Sequence, residues 1–369
     1  MERIVEVGIK RERVLKYLHD HQLDGVCLSS VANFAWFTGG GDSHVENHNK
    51  FGVASILFTH DTATVVTSNI ESERILKEQL TGVEKEFDLV VFPWYQPEKE
   101  ADIISGLTRG LSIASDSVRP EMTPLGGDFN RLRYQLTEAE VARLRWLSQR
   151  VGSATEAAAH AIQPGMAEHE IEALLAEKII AESIQPVVML IAADERNYKY
   201  RHPVPGTTHF TQLAKLSNCS RKWGLVVSAT RLVHVGALDD VLKSRQTAVA
   251  YVDAVLTAET KPGARVGAII DAAKGAYKKM GFDGEWQQHH QGGAIGYDAR
   301  EYIGLSSSEE VVKDPQGFSW NPTIAANKSE DTILAAGSGT EFLTMSKDWP
   351  LIEVEVNGRP YYRPAILEI

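Results

Sequence analysis

Ile162-Gln163-Pro164-Gly165-Met166 is echoed further along the chain by Thr260-Lys261-Pro262-Gly263-Ala264. In both places an amphipathic helical pattern runs into the Pro-Gly pair and a second one leaves it, reaching Ile180 in the first copy and Met280 in the second. A Pro-Gly pair between helices is a common turn, because proline ends one helix and glycine tolerates the left-handed conformation. Its double occurrence, each time followed by β-like sequence, predicts a duplicated half-domain. The interval between the copies exceeds the roughly 20–50-residue periods of stacked repeats, which argues against a solenoid.

Upstream, Thr137 reads as the N-cap of a long helix ending near Ile162, with Glu138 and Glu140 favourably placed in its first turn. The stretch Pro120 to Asp128 reads as a linker. Before it, residues 10–20 and Asn69 to Leu80 carry helical periodicity, and the runs beginning at Val26, Ala54, Ala63 and Leu89 read as short strands. Residues 1–130 are therefore expected to form an α/β domain and residues 131–369 a second domain.

With 369 residues, each domain can bury its own core. The net charge is −11 and no basic block stands out, so the overall field opposes a nucleic-acid partner. No apolar run approaches the roughly 20 residues of a membrane span, and the first residues lack the apolar segment of a signal peptide. Cys27 and Cys219 read as two reduced thiols. These features predict a cytoplasmic protein without nucleic-acid or membrane partners.

Six patterns in one order resemble the creatinase / aminopeptidase P / prolidase family. They are Asn33-Phe34-Ala35-Trp36-Phe37-Thr38-Gly39, Arg201-His202-Pro203, Gly224-Leu225-Val226-Val227-Ser228-Ala229-Thr230-Arg231, Gly292-Gly293-Ala294-Ile295-Gly296-Tyr297-Asp298-Ala299-Arg300-Glu301, Trp320-Asn321-Pro322-Thr323-Ile324 and Lys328-Ser329-Glu330-Asp331-Thr332. The resemblance implies an α/β N-terminal domain and an α+β "pita-bread" C-terminal domain, with two pseudo-symmetric αβ halves around a curved antiparallel sheet. It also implies a homodimer in which the loop Gly39-Gly40-Gly41-Asp42-Ser43-His44 approaches the partner's site. Those glycines read equally well as a flexible surface loop.

The departures from the family bear on function. Its peptidases hold two divalent metals with two Asp, one His and two Glu. The matching positions here are Ser217, Ser228, Gly293, Asn321 and Glu330, and only the last is a carboxylate. Hard cations need anionic oxygens or imidazole, so this set predicts no metal and no other cofactor. Creatinase resembles this case, since it keeps the fold and uses a histidine without metals. The residue matching that histidine is His202, an acid/base with an ordinary pKa near 6.5, or else a loop histidine in a Tyr-Arg-His-Pro turn. Arg300-Glu301 resembles a carboxylate clamp and reads equally well as an inter-strand salt bridge. Glu330 is expected to orient His202, to receive a cationic nitrogen of the substrate, or to bond to Lys328 or Arg231.

His289 matches an active-site histidine outside the metal shell. With His290 it also suggests zinc, although no further ligand is close in sequence. Arg201, His290, Tyr297, Asn321 and Lys328 complete the substrate-binding set, each with an alternative as an ordinary satisfied polar group. A positioned acid/base supplies roughly 10²–10⁴-fold alone, too little for an unactivated peptide. The sequence therefore predicts a metal-independent hydrolase or lyase for a C–N bond of a small, carboxylate-bearing, amino-acid-like substrate. The alternatives are a peptide- or partner-binding pseudo-peptidase, as in the histone-chaperone branch, and an Xaa-Pro metallopeptidase with an atypical site.

Overall fold

Short apolar runs that alternate with turn residues become strands where both faces are covered. The computed structural model describes residues 1–337 and 339–369. It contains two compact units: Met1–Arg133 with Thr137–Glu140 and Trp223–Leu225, and Tyr134–Leu136 with Val141–Lys222 and Val226–Ile369.

In the first unit, β1 (Gly25–Ser30), β2 (Phe51–Thr59), β3 (Ala63–Ser68), β4 (Asp88–Phe92), β5 (Ile113–Ser115) and β6 (Thr123–Pro124) form one mixed sheet in the order β4-β3-β2-β1-β5-β6. β1 is buried along its whole length, as a central strand with both faces covered should be. The helix Arg3–His21 buries Val7, Val14 and Leu18, its helically spaced apolar residues. Two local expectations are corrected. The stretch Pro120 to Asp128 is no free linker, because Thr123 and Pro124 pair with β5. Proline is tolerated there because β6 is the sheet edge, where a missing N–H breaks no ladder. The helix expected over Asn69 to Leu80 is one short turn, Ser72–Arg74, continued by a π-helical turn, Ile75–Gln79.

In the second unit the duplication is explicit. The helices Glu138–Ala161 and Glu168–Ala181 flank one Pro-Gly turn, and Asp240–Glu259 and Val266–Lys279 flank the other. Gly165 donates its N–H to Phe210 at 2.7 Å, and Phe210 donates back to Met166 at 2.8 Å. Gly263 donates to Val312 at 2.9 Å, and Val312 donates back to Ala264 at 3.0 Å. Both glycines have positive φ, +99° and +88°, which explains glycine at both turns. Thr137 and Glu140 close a capping box, with N–H to side-chain bonds of 2.7 and 3.2 Å.

These halves carry β7 (Gln185–Ala193), β8 (Leu213–Lys222), β9 (Leu225–His234), β10 (Gly292–Ala294), β11 (Tyr302–Ile303), β12 (Gln316–Trp320), β13 (Thr323–Ile324), β14 (Asn327–Lys328) and β15 (Asp331–Ala336). The main sheet runs β11-β10-β12-β15-β9-β8-β7, a curled antiparallel sheet, and β13 and β14 form a separate hairpin. Its core includes Val252, Leu256, Ile269, Tyr277, Phe318 and Trp320. Two fully buried arginines tie the elements together. Arg231 pairs with Glu156 at 2.8 Å and Asp331 at 3.1 Å, and Arg363 with Asp253 at 2.6 Å and Asp331 at 2.8 Å. Among the described residues no helix is long and apolar enough to cross a membrane.

If the second turn carries the same backbone constraint as the first, Gly263→Ala should destabilise the protein by about 1 kcal/mol or more through its positive φ. Urea unfolding should show a lower midpoint with an unchanged slope; an unchanged midpoint would show that the turn relaxes freely.

Candidate active site

The curl of the sheet brings β8, β9, the start of β15, the segment after β10 and the loop after Lys199 to one cluster of charged and aromatic-nitrogen side chains. At its centre is Glu330, 3% exposed. Its Oε1 accepts from Arg300 at 3.1 Å, and its Oε2 takes Lys328 Nζ at 2.6 Å and the Thr230 hydroxyl at 2.6 Å. Thr230 is joined in turn to the Ser217 hydroxyl at 2.8 Å. Burial would raise the Glu330 carboxyl, but Lys328 and Arg300 outweigh it and hold the group at about 2.

The histidines form the second part. His202 Nε2 lies 2.9 Å from His289 Nε2, and the His290 ring stacks on His289 with centroids 4.4 Å apart. Burial, then Lys328, pushes His289 down to about 2; burial, then Arg300, pushes His290 down to about 4. The exposed His202 is lowered by partial burial and then by Lys328. All three imidazoles are therefore neutral at neutral pH. Two neutral rings in Nε2–Nε2 contact share a single proton along that line, one donating and the other accepting. Such a pair can pass a proton between solvent and a buried group.

The remaining expected residues are placed less uniformly. Arg300 donates to the Ala299 carbonyl at 2.6 Å and reaches Ser228 at 3.4 Å, and its Nε–H is buried without an acceptor. Arg201 is paired with Glu285 at 2.7 Å. Glu301 accepts the Tyr297 backbone N–H at 2.9 Å. Tyr297 is buried at 2% exposure. Asn321 donates its backbone N–H to Gln291, while its Oδ1 has no partner. No hydrogen bond joins Glu330 to His202, contrary to the orienting role expected for it, because Arg300, Lys328 and Thr230 occupy both carboxylate oxygens. The Arg231 partner expected for Glu330 is likewise engaged elsewhere, with Glu156 and Asp331.

Two metals do not fit this donor set. Ser217 and Ser228 are neutral, and the single carboxylate is already charge-balanced by an ammonium and a guanidinium with which a metal ion would have to compete. At Gly293 any Cβ would clash with the Tyr302 carbonyl oxygen, so a side chain there would force the neighbouring strand to shift. The three histidines offer ligand atoms within 4.8 Å of one another. The surrounding shell runs the wrong way, however. His290 Nδ1 accepts the Gly292 N–H at 3.2 Å, and His289 Nδ1 is buried with no acceptor. Ligating imidazoles instead donate through the nitrogen that faces away from the metal.

One group escapes the sequence reading. Lys215 on β8 is 4% exposed. Burial, then Lys328 and Arg201, pushes its amine down to about 7. Its signal in the sequence is the two-residue alternation with Ser217 and Cys219, which places all three on one strand face. Clefts of about 440 and 490 Å³ elsewhere are lined by residues such as Arg109 and Arg119, or Arg150 and Lys178, and by no histidine.

Residues 142–341 match the sequence pattern of metallopeptidase family M24. No curated protein sequence matches the chain. Among solved structures, the Xaa-Pro dipeptidase from Bacillus anthracis superimposes with a TM-score of 0.76 at 17% identity, covering 98% of this chain and 100% of that one. The prolidase from Pyrococcus horikoshii OT3 gives 0.76 at 18%, covering 92% and 98%. The N-terminal domain of the FACT complex subunit SPT16 from Cicer arietinum gives 0.69 at 13%, covering 92% and 96%. At these identities the structures show the shared fold.

Two outcomes follow from this geometry. Gly293→His, which supplies the family's imidazole, should destabilise the protein by at least about 1–3 kcal/mol through overpacking, read as a lower urea midpoint. The buried imidazoles also set an acid limit. Unfolded histidines take up protons near 6.5, while His290 and His289 resist until about 4 and about 2. Stability from this source is complete above pH 6.5 and drains as pH falls towards about 4. The melting temperature of His289→Gln should fall less steeply over that window than the wild type's; parallel curves would contradict the assignment.

Proposed function

The chain belongs to metallopeptidase family M24, and from that premise we propose that it is a hydrolase or lyase that works without metal on a C–N bond of a small, carboxylate-bearing, amino-acid-like substrate. The observation that carries this reading is the state of Glu330: the family's one retained carboxylate is closed by Lys328, Arg300 and Thr230, while a histidine pair stands in the same cluster.

In this reading His202 is the general acid/base. Its Nδ1, the ring nitrogen not engaged with His289, takes a proton from the attacking water, or from the carbon that loses it in an elimination, and returns it to the departing nitrogen. His289 holds the other end of the shared proton and keeps the His202 ring oriented. Arg300, with a free Nε–H, takes the substrate carboxylate, and Lys328 adds positive charge beside it. Glu330 keeps both cations fixed and pre-oriented, so little reorganisation is needed as charge develops. A single acid/base contributes about 10²–10⁴-fold, which suits an activated bond such as an amidine-like C–N bond, a strained ring or a β-elimination. Unactivated Xaa-Pro peptide bonds lie outside the proposed range.

A thermal-shift screen over small amino-acid-like and cyclic amidine carboxylates identifies the ligand, since binding to the folded state raises apparent stability. With a turned-over ligand, His202→Ala should lower kcat by about 10²–10⁴-fold while circular dichroism stays unchanged. The wild-type rate should rise with pH through a limb below 6.5, because the base must be neutral and its pKa is lowered. A folded His202→Ala protein with full turnover would sink the assignment. Ligand binding without turnover of any compound would favour the partner-binding reading instead.

A further inference from the structure

Among the described residues three lysines are buried: Lys10, Lys215 and Lys328. Lys10 lies between Glu6 at 2.5 Å and Glu140 at 2.8 Å, and Lys328 sits on Glu330 at 2.6 Å. Lys215 has no carboxylate within ion-pair distance and no side-chain hydrogen bond, although it is 4% exposed. An ammonium stripped of water without a counter-charge is costly, and the neutral amine is the form such a site favours.

The charged groups acting on Lys215 are Lys328 and Arg201, which disfavour its protonation, and Glu330, which favours it. Glu330 is already shared by Lys328 and Arg300, and Arg201 is held by Glu285. His202, which feels the Lys215 charge, is neutral at neutral pH. As Lys215 is pushed towards its uncharged form, Lys328 and Arg300 still face one carboxylate, leaving one positive charge without a partner. The buried, unpaired Arg300 Nε–H marks where an anionic oxygen is missing. An uncharged lysine beside cationic groups has the character of a nucleophilic, imine-forming amine.

We propose that Lys215 is a reactive amine of this site that captures small carbonyl compounds bearing a carboxylate, of the 2-oxo acid class, as an imine, with Lys328 holding the carboxylate. The amine nitrogen bonds to the carbonyl carbon, the carbon–oxygen double bond opens to a carbinolamine, and the oxygen leaves as water with both amine hydrogens. No electron transfer is involved and no co-reactant is needed. This goes beyond the hydrolase reading and does not rest on it, since capture needs no scissile C–N bond.

The test is incubation of the full chain with pyruvate and cyanoborohydride across a pH series, followed by peptide mass mapping of the reduced adduct. Capture at Lys215 should outpace that at the exposed lysines by roughly tenfold or more, because those remain protonated near pH 7. Its rate should rise with pH to a plateau beginning near 7. Lys215→Met keeps the site uncharged and should lose the adduct with the fold intact, and Lys215→Arg, which places a fixed charge there, serves as a second fold-checked variant. Acetaldehyde, which lacks the carboxylate, should show no comparable preference for Lys215. Adducts spread evenly over surface lysines, or a Lys215 labelled only after unfolding in urea, would overturn the proposal.

Discussion

A buried carboxylate neutralised by an ammonium and a guanidinium is the constraint from which the site takes its character. Glu330 could not remain charged at 3% exposure without partners, and Lys328, Arg300 and Thr230 supply them at 2.6–3.1 Å. Those bonds take three of the roughly four acceptor sites of the carboxylate. Organic cations around a carboxylate offer different chemistry from a metal ion. A metal lowers the pKa of bound water and polarises a carbonyl, whereas Lys and Arg orient an anion and stabilise charge without generating hydroxide.

That centre is held by a frame behind it. Along the start of β15 the side chains alternate: Glu330 faces the cation cluster, Asp331 the buried arginines, and Thr332 the Ser228 backbone at 2.9 and 3.1 Å. Asp331 therefore links Arg231 of β9 to Arg363, and Arg363 reaches Asp253 on the helix Asp240–Glu259. Period-two alternation gives one strand both jobs, with chemistry on one face and anchorage on the other.

Much of this was legible in the sequence. The paired Pro-Gly turns carried the duplication because proline and glycine have few conformational alternatives, and each turn closes with the same reciprocal hydrogen bonds. The neutral residues Ser217 and Ser228 were visible in the strand pattern that the family resemblance singled out, and His202 and His289 do meet. Three things were not legible. Lys215 sits in an apolar-polar alternation where a lysine reads as solvent-facing, yet β8 is covered along most of both faces. The closed state of Glu330 needed the distance from Arg300, which lies in another strand connection. The clash of any side chain at Gly293 depends on the Tyr302 carbonyl, a cross-strand neighbour set by register.

The proposed metal-free reading stands on Glu330 being engaged by Lys328, Arg300 and Thr230. Elemental analysis of the protein purified without chelators, combined with calorimetric titration by Mn²⁺ and Zn²⁺, tests this most directly. The account predicts substoichiometric metal, no two-site binding isotherm and no loss of ligand response after chelation. Two tightly bound cations per chain, removed together with activity by a chelator and restored with it, would contradict it.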